Sequence, residues 1–198
     1  PLDYHTRAFE IMGAEMETTG QGFSGEAPDG LHEGKIILDM ASVGATINII
    51  LAAALTPGTT IIGNAAREPH IVDLANFLNM CGASIKGAGT AEIRIDGVSK
   101  LHGCTYTVIP DMIEAGTYMC AVAGTGGRVT LTNVIPKHLE SIISKLTEIR
   151  TAVKCRCISK INACAAFKSS QNGKNRLNYH YNSSRNCDAV KYSHKSIQ

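Results

Sequence analysis

The feature that most constrains this chain is a segment that occurs twice. Met12-Gly13-Ala14-Glu15-Met16 matches Cys81-Gly82-Ala83-Ser84-Ile85, with the Gly-Ala pairs 69 residues apart. The same offset carries Pro57-Gly58-Thr59-Thr60 onto Gly126-Gly127-Arg128-Val129, and Asn64 onto Asn133. Asp39 and Gly44 return as Asp111 and Gly116, 72 residues on. A fixed period with matching turn residues marks one supersecondary unit used repeatedly.

One copy can be read element by element. Ile71 to Met80 places Ile71, Val72, Leu74, Ala75 and Leu78 at helical spacing, and Gly82 stops the helix as a C-cap glycine does. A strand begins at Ala83-Ser84-Ile85-Lys86, and Glu92-Ile93-Arg94-Ile95-Asp96 alternates as a half-buried strand does. Cys104 to Ile109 reads as a third strand stopped by Pro110, Glu114 to Ala123 as a second helix apolar nearly all round, and Val129-Thr130-Leu131 as a fourth strand. In the first copy the second helix, Ala45 to Leu55, reads ATINIILAAAL, too short for a membrane and too apolar for a surface, so it is expected to be buried. Each copy thus has an amphipathic outer helix, a buried inner helix and strands between. The expectation is an α/β (α+β) fold of pseudo-symmetric repeats, with parallel inner helices walled by small sheets in a pseudo-threefold arrangement. Leu139, Ile142, Ile143 and Leu146 start a third outer-helix stripe. The period places its Gly-Ala at 151–152, where Thr-Ala stands instead. A third copy broken there would leave Ile142, Ile143 and Leu146 without partners.

Composition changes at the same place. Residues 1–150 hold ten basic and sixteen acidic side chains, a net charge of −6; residues 151–198 hold nine basic and one acidic, a net charge of +8. Eighteen of the 19 glycines precede residue 150. Two domains are therefore expected, 1–150 carrying the repeat and 151–198 a basic tail rich in Cys, Asn and Ser, as an out-of-frame read or a junction with unrelated coding sequence would give. The tail's Cys155, Cys157, Cys164, Cys187, His180 and His194 match no zinc-ligand spacing, so no metal is assigned. Its charge with Tyr179, Tyr181 and Tyr192 fits nucleic-acid binding no better than it fits an unstructured segment, and no nucleic-acid partner is assigned. No apolar run approaches the ~20 residues of a transmembrane helix and no signal peptide is visible, so the chain is expected to be cytoplasmic, with Cys81, Cys104 and Cys120 as reduced thiols.

The candidate site lies where a strand enters an inner helix. Asp39-Met40-Ala41-Ser42-Val43-Gly44-Ala45-Thr46 offers free amides at a helix start, with Ser42 and Gly44 small enough for a phosphate to approach. Ser42 read simply as an N-cap is the competing interpretation. Arg67 and Glu68, in the loop Asn64 to His70, either line a cleft or form a surface pair. Asp111 suits the N-cap of the second inner helix or a place near its dipole, and its correspondence with Asp39 argues for a structural role in both copies.

Three strings carry a resemblance: D-x-x-SVGAT-x-N-I, NAAREPHIVDLANFLNMCGA, and IPD-x-IEAGTYM followed by NVIPKHLES. Over residues 1–149 the chain resembles the UDP-N-acetylglucosamine 1-carboxyvinyltransferases, the enolpyruvyl transferases that open peptidoglycan precursor synthesis. The resemblance implies two domains of three repeats each, with substrates in the cleft between them. It implies that Pro1, Leu2, Asp3 and Tyr4, together with Ser42, Val43 and Gly44, contact the sugar nucleotide. Where many members carry a lysine, this chain has Met40.

The reaction so implied moves the enolpyruvyl group of phosphoenolpyruvate to the 3-hydroxyl of UDP-N-acetylglucosamine, without a cofactor. The family's cysteine, on a Gly-Cys-x-x-Gly-x-Arg loop, belongs just before Pro1, and none of the seven cysteines matches it. No catalytic residue is therefore assigned, and this stretch alone is expected to be inactive. Two other readings remain open: a non-catalytic sugar-nucleotide binding module, and a sister transferase acting on shikimate 3-phosphate.

Overall fold

The computed structural model describes residues 2–20, 22–149, 152–157 and 160–165. The chain divides into two compact units, Pro1–Ile109 and Pro110–Gln198.

The first unit runs α1 (Asp3–Ile11), β1 (Glu15–Thr19), β2 (Gly22–Glu26), β3 (Lys35–Ile37), α2 (Val43–Ala53), β4 (Thr59–Gly63), α3 (Pro69–Met80), β5 (Ser84–Lys86) and β6 (Glu92–Asp96). Strands β1 and β2 form an antiparallel hairpin, and the remaining strands form a sheet ordered β3-β4-β6-β5. In that sheet β3 is parallel to β4, while β6 is antiparallel to both β4 and β5. Alternation fixes which sheet face is buried: Thr60 and Ile62 on β4 and Ile93 and Ile95 on β6 point inward. They meet Ala45, Ile49, Ile50 and Ala53 of α2, Ile71, Ala75 and Leu78 of α3, and Ala8 and Met12 at the end of α1.

The second unit runs α4 (Met112–Thr125), β7 (Gly127–Thr132), a 3-10 turn (Pro136–Leu139), α5 (Glu140–Glu148), β8 (Ala152–Cys157) and β9 (Lys160–Ala165). Its sheet is ordered β7-β9-β8, all antiparallel neighbours. This is the β4-β6-β5 pattern again: β7, β8 and β9 begin at residues 127, 152 and 160, each 68 residues after β4, β5 and β6. The repeat therefore continues to residue 165, past the point where the sequence pattern fades. Ile161 and Ala163 are fully buried there, with Met119, Leu139 and Leu146. Ile142, Ile143 and Leu146 are thus not left bare, because β8 and β9 supply the wall they pack against.

The repeat also shows in the backbone. Asn64 and Asn133 both adopt left-handed conformations, φ 55° and 54°, one period apart. Gly13 (φ 91°) and Gly82 (φ 98°) end α1 and α3, where a side chain would be strained and would collide with the ring of His32 or crowd that of His102. Each histidine donates its backbone N–H to the carbonyl of the residue that caps the helix, His32 to Met12 at 2.9 Å and His102 to Cys81 at 2.8 Å.

Two sequence expectations need correction. Residues 104–109 form no strand, because a strand exists only through a ladder and this segment makes none among the described residues. It is held by side chains instead: the Tyr106 hydroxyl donates to Asp73 Oδ1 at 2.7 Å, and its ring packs edge-on against Phe77. Nor are the inner helices buried all round. Helix α2 buries one face and leaves Leu51 about half exposed, as is Leu55 just past its end, while α4 buries only Ala115, Gly116 and Met119. A helix is buried only on the sides that other elements cover, and within the first unit α2 is covered by α1, α3, β4 and β6.

Candidate functional site

The site is built from the first turns of α1 and α2. Ser42 is extended (φ −111°, ψ 120°), and its Oγ accepts from the Ala45 N–H at 3.3 Å. The N-cap reading is therefore correct, and it is compatible with the phosphate reading, since one side chain cannot satisfy all the free amides of a helix start. The Ser42 carbonyl accepts from both Thr46 N–H (3.0 Å) and Thr46 Oγ1 (2.7 Å). Thr46 Oγ1 in turn accepts from the buried Ala66 N–H at 3.1 Å. The one hydroxyl within ATINIILAAAL thus locks the helix start to the loop at 64–68.

Helix α1 brings its own start alongside. Leu2 precedes it as an exposed cap whose carbonyl accepts from His5 and Thr6 N–H, Asp3 is exposed, and Tyr4 is half-buried. The His5 ring lies over Gly44, where an added Cβ would stand 3.2 Å from Cε1, and its Nδ1 accepts from Asn48 Nδ2 at 2.8 Å. Arg7 pairs with Asp39 at 3.2 Å, both largely exposed. These contacts bring six of the residues expected at the site (Leu2, Asp3, Tyr4, Ser42, Val43 and Gly44) onto two adjoining helix starts. The seventh, Pro1, lies outside the described residues, as do Cys187, His180, His194, Tyr179, Tyr181 and Tyr192.

Gly44 also makes room for the His5 ring by lacking a side chain. Gly116 plays the same part in the second unit, where an added Cβ would stand 3.0 Å from Ile142 Cδ1 of α5. Asp39 and Asp111 both make structural contacts, though different ones. Asp111 caps α4, accepting from the Ile113 N–H at 2.7 Å, whereas Asp39 stands three residues before the cap of α2 and pairs with Arg7. Their shared spacing hides different roles, because Ser42 occupies the cap in the first copy.

Beside the helix start lies an open cleft of about 420 Å³ lined by Ala41, Asn64, Ala65, Arg67 and Glu68. Asn64 holds its rim, donating to the Leu38 carbonyl at 2.9 Å. Of the two readings for Arg67 and Glu68, the cleft lining is the correct one: they form no ion pair among the described residues, Arg67 is exposed, and a Glu68 carboxylate oxygen is buried without a hydrogen-bond partner. His5, Asn48 and Thr46 were not singled out as site-forming from sequence. His5 and Asn48 are 43 residues apart with no shared motif, but a lone hydroxyl in an otherwise apolar helix stretch was a signal for Thr46.

Among the described residues no helix is long and apolar enough to cross a membrane. Solved enolpyruvyl transferases share the fold. That of NikO from Streptomyces tendae superposes with a TM-score of 0.69 at 24% identity, over 83% of this chain and 42% of that one. EPSP synthase from Acinetobacter baumannii superposes with a TM-score of 0.58 at 25% identity, over 83% and 39%. Curated relatives are much nearer in sequence. The UDP-N-acetylglucosamine 1-carboxyvinyltransferase of Clostridium botulinum is 57% identical over 149 residues, 75% of this chain and 36% of that protein. One of Caldanaerobacter subterraneus bearing that name is 56% identical over 154 residues, 78% and 37%. The chain therefore spans little more than a third of these relatives' length. The sequence model of the EPSP synthase (3-phosphoshikimate 1-carboxyvinyltransferase) family matches residues 1–175, and the chain belongs to that family.

Proposed function

We propose that these residues form part of the sugar-nucleotide grip of a UDP-N-acetylglucosamine 1-carboxyvinyltransferase. That enzyme transfers the enolpyruvyl group of phosphoenolpyruvate to the 3-hydroxyl of the sugar and releases phosphate, in the cytoplasm, for peptidoglycan synthesis. The observation that carries the reading is the meeting of two helix starts, Leu2–Tyr4 and Ser42–Gly44, tied by His5–Asn48 and Arg7–Asp39. The amide dipoles at the start of α2 favour a diphosphate. The α1 start and Tyr4 offer a flank for the uridine, and the neighbouring cleft lies within reach of a sugar ring. The role assigned to the chain's own residues is binding; its cysteines lie in none of the family's catalytic loop pattern.

Titrating the full chain with UDP-N-acetylglucosamine and, separately, with shikimate 3-phosphate tests this by amide chemical shifts. The expected result is saturable shifts at Asp3–His5 and Val43–Ala45 with the first ligand only. Shifts with shikimate 3-phosphate alone would favour the sister activity, and none with either at millimolar concentration would remove the binding role.

The composition change carries a separate proposal for the basic stretch that ends at Gln198: because β8 and β9 continue the repeat to residue 165 and the family match runs to 175, only the part beyond residue 175 is taken not to belong to the transferase, as a shifted frame or a joined coding sequence would give. Sequencing the coding DNA across codons 140–198 tests it. Recovery of the same codons with neither a frame shift nor a junction would contradict it.

A further inference from the structure

Outside the proposed site, among the described residues, one pair of nucleophilic side chains stands together. Cys81 ends α3, donating its N–H to the Phe77 and Leu78 carbonyls, and its side chain is buried. Cys104 lies on the segment after β6 and is half-buried. Their sulfurs are 3.4 Å apart in an S–H···S contact. The segment carrying Cys104 is anchored on both sides against α3: His102 N–H binds the Cys81 carbonyl, and the Tyr106 hydroxyl binds Asp73. Contact with Cys104, and then burial, hold the Cys81 thiol above its ordinary range, so Cys81 is not the first of the two thiols to attack an oxidant.

We propose that Cys81 and Cys104 are a modification site, an internal dithiol that peroxides convert to a disulfide fastening the Cys104 segment to the end of α3. The half-buried Cys104 sulfur attacks the peroxide, breaking its O–O bond: Cys104–SH and H2O2 give Cys104–SOH and water. The Cys81 sulfur then displaces the hydroxyl: Cys104–SOH and Cys81–SH give the disulfide and a second water. Two thiols are oxidised by two electrons, and one peroxide is reduced to two waters. The sulfurs must close from 3.4 Å to about 2.0 Å. The Cys104 segment has no strand ladder to break in doing so.

The experiment exposes the folded full chain to hydrogen peroxide, blocks remaining thiols with a maleimide, cleaves before aspartate without reduction, and identifies peptides by mass. Cleavage before Asp73, Asp96 and Asp111 places Cys81, Cys104 and Cys120 on three different peptides. The expected product joins the peptides starting at Asp73 and Asp96, lacks two hydrogens, and is released by reductant, while the peptide starting at Asp111, which carries Cys120 and four further cysteines, is linked to neither. In Cys104→Ser, Cys81 is expected to remain a blocked thiol after the same exposure. Recovery of Cys81 and Cys104 as separate maleimide or sulfinic-acid peptides, or linkage of either to another cysteine, would overturn the proposal. So would linkage that forms equally fast in denaturant, since the pairing would then owe nothing to the fold.

Discussion

At the scale of single residues, a few polar atoms do the positioning and each has a measurable weight. Thr46 is fully buried and its hydroxyl is the acceptor for the Ala66 amide. Thr46→Val keeps the shape but leaves that amide unpaired, and denaturant melts should show a loss of about 1–3 kcal/mol, with Thr46→Ser losing less. Asp96 accepts from Arg94 and from Thr59 Oγ1 at 2.7 Å, and chiefly the Arg94 guanidinium holds its carboxyl below the usual range. A carboxyl held low in the folded state stabilises fully above its unfolded value, near pH 4, and that contribution disappears as pH falls through the folded value. Asp96→Asn should therefore flatten the acid limb of the stability profile below about pH 4 and shift the neutral limb evenly. Identical loss at every pH would show that the ion pair is not the source.

At the scale of elements, helix starts were the most legible feature and ladders the least. Ser42 and Asp111 are capping residues whose chemistry is local, so the sequence announces them, and Pro69 opens α3 where a missing N–H costs nothing. Asp111→Ala should cost about 1 kcal/mol in thermal or denaturant unfolding. The strand expected over 104–109 failed because alternation describes a face while pairing needs a neighbour; Tyr106 anchors that segment instead. Tyr106→Phe should raise amide exchange across 101–109 and leave β6 protected. Unchanged exchange there would mean that ring packing on Phe77 suffices. The site was half legible in the same sense. Ser42–Gly44 form a compact local motif, but the clasp of His5 on Asn48 and Gly44 depends on how two helices lie together.

At the scale of the whole molecule, the period of 69 is the organising fact, and the structure extends it beyond where the letters show it. Strands β8 and β9 repeat β5 and β6 although composition changes at 150, because a sheet edge demands a partner and a buried face demands only alternation such as Ile161-Asn162-Ala163. Ile161→Asp would place an unpaired carboxylate in the second core. Hydrogen exchange should then rise throughout α4, β7 and α5 while α2, β4 and β6 stay protected. Protection retained in α4 would mean that β9 does not complete that core.

The central claim is that the start of α2, with the start of α1 beside it, holds a diphosphate. Ser42→Asp tests it most directly, because aspartate caps a helix as well as serine does yet places a negative charge where the phosphates would lie. Calorimetric titration of the 198-residue chain and its Ser42→Asp variant with UDP-N-acetylglucosamine should show binding to the parent chain, loss of affinity by tenfold or more in Ser42→Asp, and matching melting temperatures, a tenfold change being about 1.4 kcal/mol. Equal affinity in the two proteins would contradict the claim and move the sugar-nucleotide site elsewhere.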